Sequence, residues 1–341
     1  MLVTQHPVFQ QFWYPVVPIE HLQQGPQSFC LLGQDLVLWL DDRGLPAAVE
    51  DRCCHRSARL SQGKVCRGHI QCPYHGWCFD AKGSCVQVPQ LTQQLIPNNY
   101  RVKAFNCTQR YGYVWVCLGA PLADILTIPE ADNPSFRHIP EFYEVWHCAG
   151  LRLMENSFDN AHPQFVHEQT FGLQQEPVPP EPESFIETDD GFKMTYRLPV
   201  KNTDIQKRNL QMADGETVRI SEGIWHMPFV RSLKITYPNG LIHLIFTAAT
   251  PIDDRSIQVV QFCLRNDSET DAKASDIIAF DRAVTLEDKA ILEGTDYDVP
   301  LDIQAERHMA SDKPGIVMRH RLAALIRQEK VESDKAGREN P

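Results

Sequence analysis

The amino-acid sequence predicts two domains, a small all-β domain and then an α+β domain in which helices pack on an antiparallel sheet. Three observations point there. From residue 29 to about 118, short β-rich runs alternate with turn signals: "LVLWL" stands before "DDRG", "CVQV" follows "DAKG", and "YGYVWVCLG" precedes a proline-bearing stretch. Further along come the strand-like runs "FKMTYRLPV", "GIWHMPFVRSLKITY", "LIHLIFTAATPI" and "IQVVQFCLR". A long amphipathic helical pattern then covers about Ala272 to Gly294. The 341 residues are enough for two cores, and no internal repeat suggests a solenoid or propeller.

Taken in order, the first domain is expected over residues 10–120. Residues 121–142 carry four prolines and little periodicity, which suits a linker. The second domain is expected over 143–330, opening on a helical stretch near 150–167 and a proline-rich loop, "QQEPVPPEPE". Residues 331–341 are charged and poor in apolar side chains, and are expected to form a flexible tail.

Composition narrows the function classes. With 43% apolar and 23% charged residues the chain reads as globular. A formal net charge of -11 argues against a general phosphate-backbone binder, so nucleic acid is not an expected partner. The start, "MLVTQHPVFQQFWYPVV", has no basic region followed by an apolar run, and no stretch approaches the roughly 20 apolar residues of a membrane helix. Eleven cysteines without a secretory signal fit a reducing, cytoplasmic setting in which thiols serve metals or fill cores. Cys30, Cys107, Cys117, Cys148 and Cys263 have apolar neighbours and are expected to be small core side chains. Cys54, Cys66, Cys78 and Cys85 lie near a more telling pattern without joining it.

That pattern is Cys53, His55, Cys72 and His75, a C-x-H and a C-x-x-H separated by sixteen residues. Thiolate and imidazole together select zinc or iron–sulfur chemistry. In the common zinc finger two cysteines form one knuckle and two histidines the other, whereas here each loop offers one of each. The mixed order suits a two-iron cluster with both thiolates on one iron and both imidazoles on the other.

A second set lies in "MENSFDNAHPQFVHEQTFG", which holds Asn156, Asp159, His162 and His167. Histidines five apart stand about 140° apart on an ideal helix, so both reach one metal only if the helix is distorted. Pro163 supplies a cause, by disfavouring helical geometry at His162. A third ligand, a carboxylate, would complete a facial triad with open positions for dioxygen and substrate. On the later helix, with Ile277 at 0°, Val284 falls near 340°, Ile291 near 320° and Asp288 near 20°, by about 100° per residue. Asp288 therefore faces the apolar side; Asp281, near 40°, is the alternative, and Glu287, near 280°, sits toward the edge. Lone histidines such as His147, His226, His243 and His308 are expected to be satisfied core or surface residues.

With these residues in view, "C-x-H" with "CPYHGW" resembles the Rieske [2Fe–2S] domain of the ring-hydroxylating non-haem iron oxygenases. The later "N-x-x-D-x-x-H-x-x-x-x-H" followed by "E-D-x-x-I-x-E" is similar to the catalytic domain of the same family. One departure stands out. The family's first loop usually reads C-P-H-R-G, where this chain has Cys53-Cys54-His55-Arg56-Ser57.

The resemblance implies a β-rich Rieske domain and a catalytic domain of helix-grip fold. It implies a [2Fe–2S] cluster on Cys53, His55, Cys72 and His75, and mononuclear Fe(II) on His162, His167 and Asp288. Asn156 would sit beside the iron, and Asp159 would link the two centres. The expected activity is that of an oxygenase component, an oxidoreductase hydroxylating or oxidatively demethylating a small aromatic or polycyclic substrate with dioxygen. Cis-dihydroxylation, an iron–sulfur electron carrier and a zinc hydrolase are the alternatives. The chain holds no G-x-G-x-x-G fingerprint, so electrons are expected from a separate reductase or ferredoxin. A homotrimer is the family expectation. Met154, Phe158, Phe165 and residues near Trp225 are candidate pocket liners for which core packing is the plainer role.

Overall fold

A computed structural model describes residues 1–91, 95–172, 179 and 181–338, the last helix with side chains to residue 331. Most of the expected proline-rich loop at 174–183 lies outside the described residues. The chain divides into two compact units. One comprises Val3–Ile125 with Thr250–Asp254; the other comprises Met1–Leu2, Leu126–Ala249 and Arg255–Pro341.

The first unit contains ten short strands: β1 Tyr14–Pro18, β2 Gln27–Leu31, β3 Gln34–Leu40, β4 Pro46–Glu50, β5 Lys64–Cys66, β6 His69–Gln71, β7 Cys78–Phe79, β8 Cys85–Gln87, β9 Asn106–Arg110 and β10 Tyr113–Cys117. They form antiparallel sheets ordered β1-β10-β9, β2-β3-β4 and β5-β6-β7-β8. Alternation along a strand puts Val37 and Trp39 of β3, and Ala47 and Val49 of β4, in one core with Ile70 and Phe79. Trp39 fills that core and donates its indole N–H to Gly68 O at 2.9 Å, so the ring is buried without an orphan donor.

The second unit is built on seven strands: β11 Arg137–Trp146, β12 Ser184–Thr188, β13 Gly191–Lys201, β14 Glu216–His226, β15 Val230–Thr236, β16 Ile242–Pro251 and β17 Ile257–Arg265. Their order is β11-β17-β16-β15-β14-β13-β12. Strand β11 begins inside the segment expected to be linker. Pro140 misled the reading: it sits on an edge strand where the register with β17 shifts, a place that tolerates a missing amide.

Among the described residues five α-helices accompany this sheet: α1 Gly150–Ser157, α2 Pro163–Val166, α3 Asp204–Leu210, α4 Ala274–Leu292 and α5 Lys313–Arg338. Helix α5 buries Met318, Leu322 and Ile326, four apart and so on one face. It continues as helix through the start of the segment expected as a tail at 331–341. Arg319 of α5 is only 2% exposed and is tied to Glu155 of α1 at 2.5 Å and to Glu306. This fastens α1, and the site residues that follow it, to the C-terminal helix.

Helix α4 buries Ile277 and Phe280, but Ile291 is 56% exposed, unlike its place on the expected apolar stripe. The stripe holds only over the first half of the helix. Further along, the inner face meets polar side chains rather than an apolar core, as described next. Among the described residues no helix is long and apolar enough to cross a membrane.

Candidate metal centres

The loop between β4 and β5 carries Cys53 and His55, and the loop between β6 and β7 carries Cys72 and His75. The two loops close in the same way. Ser57 N–H donates to Cys53 O and Cys53 N–H to Ala58 O, both at 2.9 Å; Gly76 N–H donates to Cys72 O at 3.1 Å and Cys72 N–H to Trp77 O at 2.8 Å. Each loop thus turns tightly around its cysteine. The turn needs a left-handed residue: Gly76 has φ 74° and Ser57, its counterpart, φ 58°. Glycine takes this conformation freely, whereas a side chain there is strained.

Cys53 and Cys72 are 2% and 3% exposed. Burial pushes the Cys53 thiol up to about 12, with the His55 amide opposing and Cys72 adding. Such a thiol gives up its proton only to a strongly bound cation. The rings of His55 and His75 lie 4.5 Å apart between centroids. Their Nδ1 atoms are buried and, among the described residues, have no hydrogen-bond partner. Two buried thiols and two orphaned imidazole nitrogens on facing loops are the donor set a Rieske cluster requires.

Trp77 stacks parallel on His55 at 4.6 Å and on Tyr100 at 4.9 Å. Gln90 braces the β6–β7 loop that carries this ring, accepting from Trp77 Nε1 at 3.2 Å and donating to His75 O at 3.0 Å.

In the second unit, the expected distortion between His162 and His167 takes a different form. His162 is helical, with φ -70° and ψ -29°, and Pro163 begins α2 as its first residue, where no amide is needed. The break comes before His162, after α1 ends at Ser157, and again at His167, where ψ turns to 29°. The two histidines therefore bracket a single turn. Gly172 lets the chain fold back beneath it, since a Cβ there would lie 2.4 Å from Pro163 O.

Nε2 of His162 and Nε2 of His167 are 3.2 Å apart. Asp288 Oδ1 of α4 lies 3.5 Å from the first and 3.2 Å from the second. Bonds of about 2.1 Å meeting at right angles separate ligand atoms by about 3.0 Å, so this triangle fits one face of an octahedral metal. Burial pushes the Asp288 carboxyl up, but His167, with His162 and Asn156 behind it, outweighs that and holds the group below its usual range. Asp281 is separate from this triangle. It is 8% exposed and faces His243 at 3.2 Å, so His243 is not an isolated histidine.

Glu287, expected at the helix edge, turns out to matter. Its Oε2 is 2.8 Å from His167 Nδ1 and accepts from Thr170 Oγ1 at 2.9 Å. A carboxylate behind the imidazole favours the tautomer that leaves Nε2 free to accept a cation. The clue in the sequence was its place next to Asp288. Asp159 Oδ2 lies 3.5 Å from His162 Nδ1, while Oδ1 accepts the Ala161 N–H at 2.7 Å. Of the candidate liners, Met154, Phe158 and Trp225 are buried in the core, the plainer role expected of them, and Phe165 is 68% exposed. The cavity beside the triangle is lined instead by apolar groups such as Phe171, Leu198, Ile245, Phe280 and Val284.

Comparison with known proteins agrees with this geometry. Residues 12–106 match the Rieske [2Fe–2S] domain, and residues 146–328 match the vanillate O-demethylase oxygenase C-terminal domain. Fold and matches together define an oxygenase component, an oxidoreductase that carries a Rieske [2Fe–2S] cluster and a mononuclear iron. The chain belongs to the Rieske non-haem iron oxygenases, in the group defined by the vanillate O-demethylase catalytic domain.

It is 30% identical to the methylxanthine N1-demethylase NdmA of Pseudomonas putida, over 93% of this chain and 89% of that protein. The solved structure of NdmA with caffeine superposes with a TM-score of 0.83 at 29% identity, covering 96% of this chain and 94% of that one. Over a shorter span, 46% of each chain, the oxygenase component of dicamba O-demethylase from Stenotrophomonas maltophilia is 35% identical.

Two outcomes follow. Ser57→Gly is expected to remove a left-handed strain of about 1 kcal/mol and raise the temperature at which the cluster's visible absorbance is lost; an unchanged or lower temperature contradicts the assignment of strain. Glu287→Gln is expected to weaken ferrous iron binding about ten- to a hundredfold in a metal titration while leaving the cluster's spectrum intact; unchanged affinity would mean that Glu287 does not position His167.

Proposed function

We propose that the enzyme oxidatively demethylates or hydroxylates a small aromatic or polycyclic substrate, with Cys53, His55, Cys72 and His75 holding the cluster and His162, His167 and Asp288 the ferrous iron. The observation that supports this most is the triangle of donor atoms opening on a cavity lined by apolar side chains on one part and polar ones on another. When bound, the two groups supply single electrons and an open coordination face for dioxygen.

The residues of the chain do the rest. Phe171, Phe280 and their neighbours exclude water and accept a flat apolar body. Glu287 holds the His167 ring in one orientation, and Asn156 steadies the Asp288 carboxylate. Demethylation is favoured because relatives spanning both domains are demethylases by name. Dioxygen and electrons arrive from outside, the latter from a separate reductase or ferredoxin.

Asp159 is the proposed link between centres. One oxygen faces His162 and its side chain is 34% exposed, so it can also accept from the partner subunit's His75 in a homotrimer. A cytoplasmic location fits a chain whose described cysteines are all free.

The test is oxygen uptake by anaerobically purified protein supplied with a surrogate reductase and N-methyl or methoxy aromatic compounds. The expected result is uptake matched by formaldehyde release. In Asp159→Asn, both irons should load and the cluster should reduce, but single-turnover oxidation of the reduced cluster should slow about ten- to a hundredfold. Substrate-independent uptake alone, a cis-diol product, or an equal single-turnover rate in Asp159→Asn would each contradict the corresponding part of the reading.

A further inference from the structure

The cavity beside the metal triangle also contains two arginines, Arg219 of β14 and Arg231 of β15. Arg219 is 8% exposed, and its guanidinium lies 4.9 Å over the ring of Phe171. Arg231 donates from Nη2 to Thr247 Oγ1 at 3.2 Å. The Nε atom of each is buried and, among the described residues, has no acceptor. No described carboxylate lies within ion-pair distance of either guanidinium.

The carboxylates of the same cavity are already engaged. Asp159 faces His162 at 3.5 Å, Asp288 faces both triad imidazoles, and Asp281 faces His243 at 3.2 Å. Glu141, Cys263, His243 and Asp281 form a further buried cluster with ligand atoms within 4.8 Å of one another. That cluster has its own remedy. Burial and then Asp281 push the Glu141 carboxyl well above its usual range, and Gln261 donates to it at 2.8 Å. A guanidinium has no such route, because it keeps its charge at any accessible pH. Burying that charge without a paired anion is costly; among the described residues Arg219 has only the Tyr237 hydroxyl beside it, and Asp288 and Glu141 act on Arg231 from beyond ion-pair distance, so an anion entering the cavity would complete both.

We propose that Arg219 and Arg231 form an oxyanion-recognition wall, and that the substrate is a small aromatic compound carrying a carboxylate or sulfonate whose remaining part faces the triad. This rests on the oxygenase reading and narrows its substrate class. The aromatic body packs among Phe171, Phe280 and Val284, and the oxyanion takes donors that the protein leaves without acceptors. Arginine suits the role because its planar fork matches a carboxylate in two parallel hydrogen bonds.

Equilibrium dialysis of the iron-loaded protein without oxygen tests this directly, using methoxybenzoates against the matching methoxybenzamides, and methoxybenzenesulfonates against the sulfonamides. At least one anion should bind about tenfold or more tightly than its neutral partner, which is about 1.4 kcal/mol. Arg219→Met and Arg231→Met, scored only when the Rieske spectrum is intact, should each reduce that preference, and Arg231→Lys should retain more of it than Arg231→Met. The proposal fails if no anion in the panel outcompetes its neutral partner, a comparison in wild-type protein that needs no variant to fold. It also fails if both methionine variants keep the full preference. Formaldehyde released from neutral probes without any anion preference would sink this proposal and leave the demethylase reading standing; anion preference without turnover of any bound probe would do the reverse.

Discussion

The second unit depends on one convergence: two imidazoles and a carboxylate from distant parts of the chain held 3.2–3.5 Å apart. Bringing these groups out of water costs free energy unless a cation sits among them. The surrounding structure is arranged to hold that cost. Gly172 lets the chain return under the single turn of α2, Glu287 and Thr170 lock the far side of His167, and α4 delivers Asp288. Arg319, Glu155 and Glu306 anchor α1, and with it the entry to the His162 segment, against α5. Burial pulls the His167 imidazole down, yet Asp288 and then Glu287 outweigh it and leave it raised.

The first unit solves a similar problem with two matching turns. Each wraps its cysteine with a pair of backbone hydrogen bonds and aims an imidazole nitrogen that has no other use. Stacking of Trp77 on His55 joins the two loops, and Gln90 braces the loop that carries Trp77 and His75. The departure from the family's usual loop falls on the left-handed position itself, where Ser57 replaces the more permissive glycine and accepts from Arg52 at 2.9 Å.

Both donor sets were legible in the sequence because ligand chemistry demands rare residues at short spacings: Cys53 to His55, Cys72 to His75, and His162 to His167. The strands were visible as apolar runs, and the helical wheel favoured Asp288 while leaving Asp281 open. Other features depend on what meets a residue across the fold. Pro140 suggested a linker because the sequence does not say that its strand lies at an edge. Ile291 looked buried because the wheel assumes one apolar partner along the whole helix, whereas at the end of α4 it is Leu292 that is buried and Ile291 that faces solvent. Helix α5 was masked by its charges, although Met318, Leu322 and Ile326 repeat at four. Arg219 and Arg231 carried no signal in the sequence, since only the fold shows that both line the cavity.

The central claim is that this chain carries a cluster in one unit and a single iron in the other, the latter held through Asp288. Iron analysis combined with the reduced-state paramagnetic spectrum of Asp288→Ala tests it most directly. The account predicts that one iron in about three is lost while the Rieske spectrum is unchanged, with Asp281→Ala keeping its full iron content. Full iron content in Asp288→Ala, or loss of the mononuclear iron in Asp281→Ala instead, would contradict it.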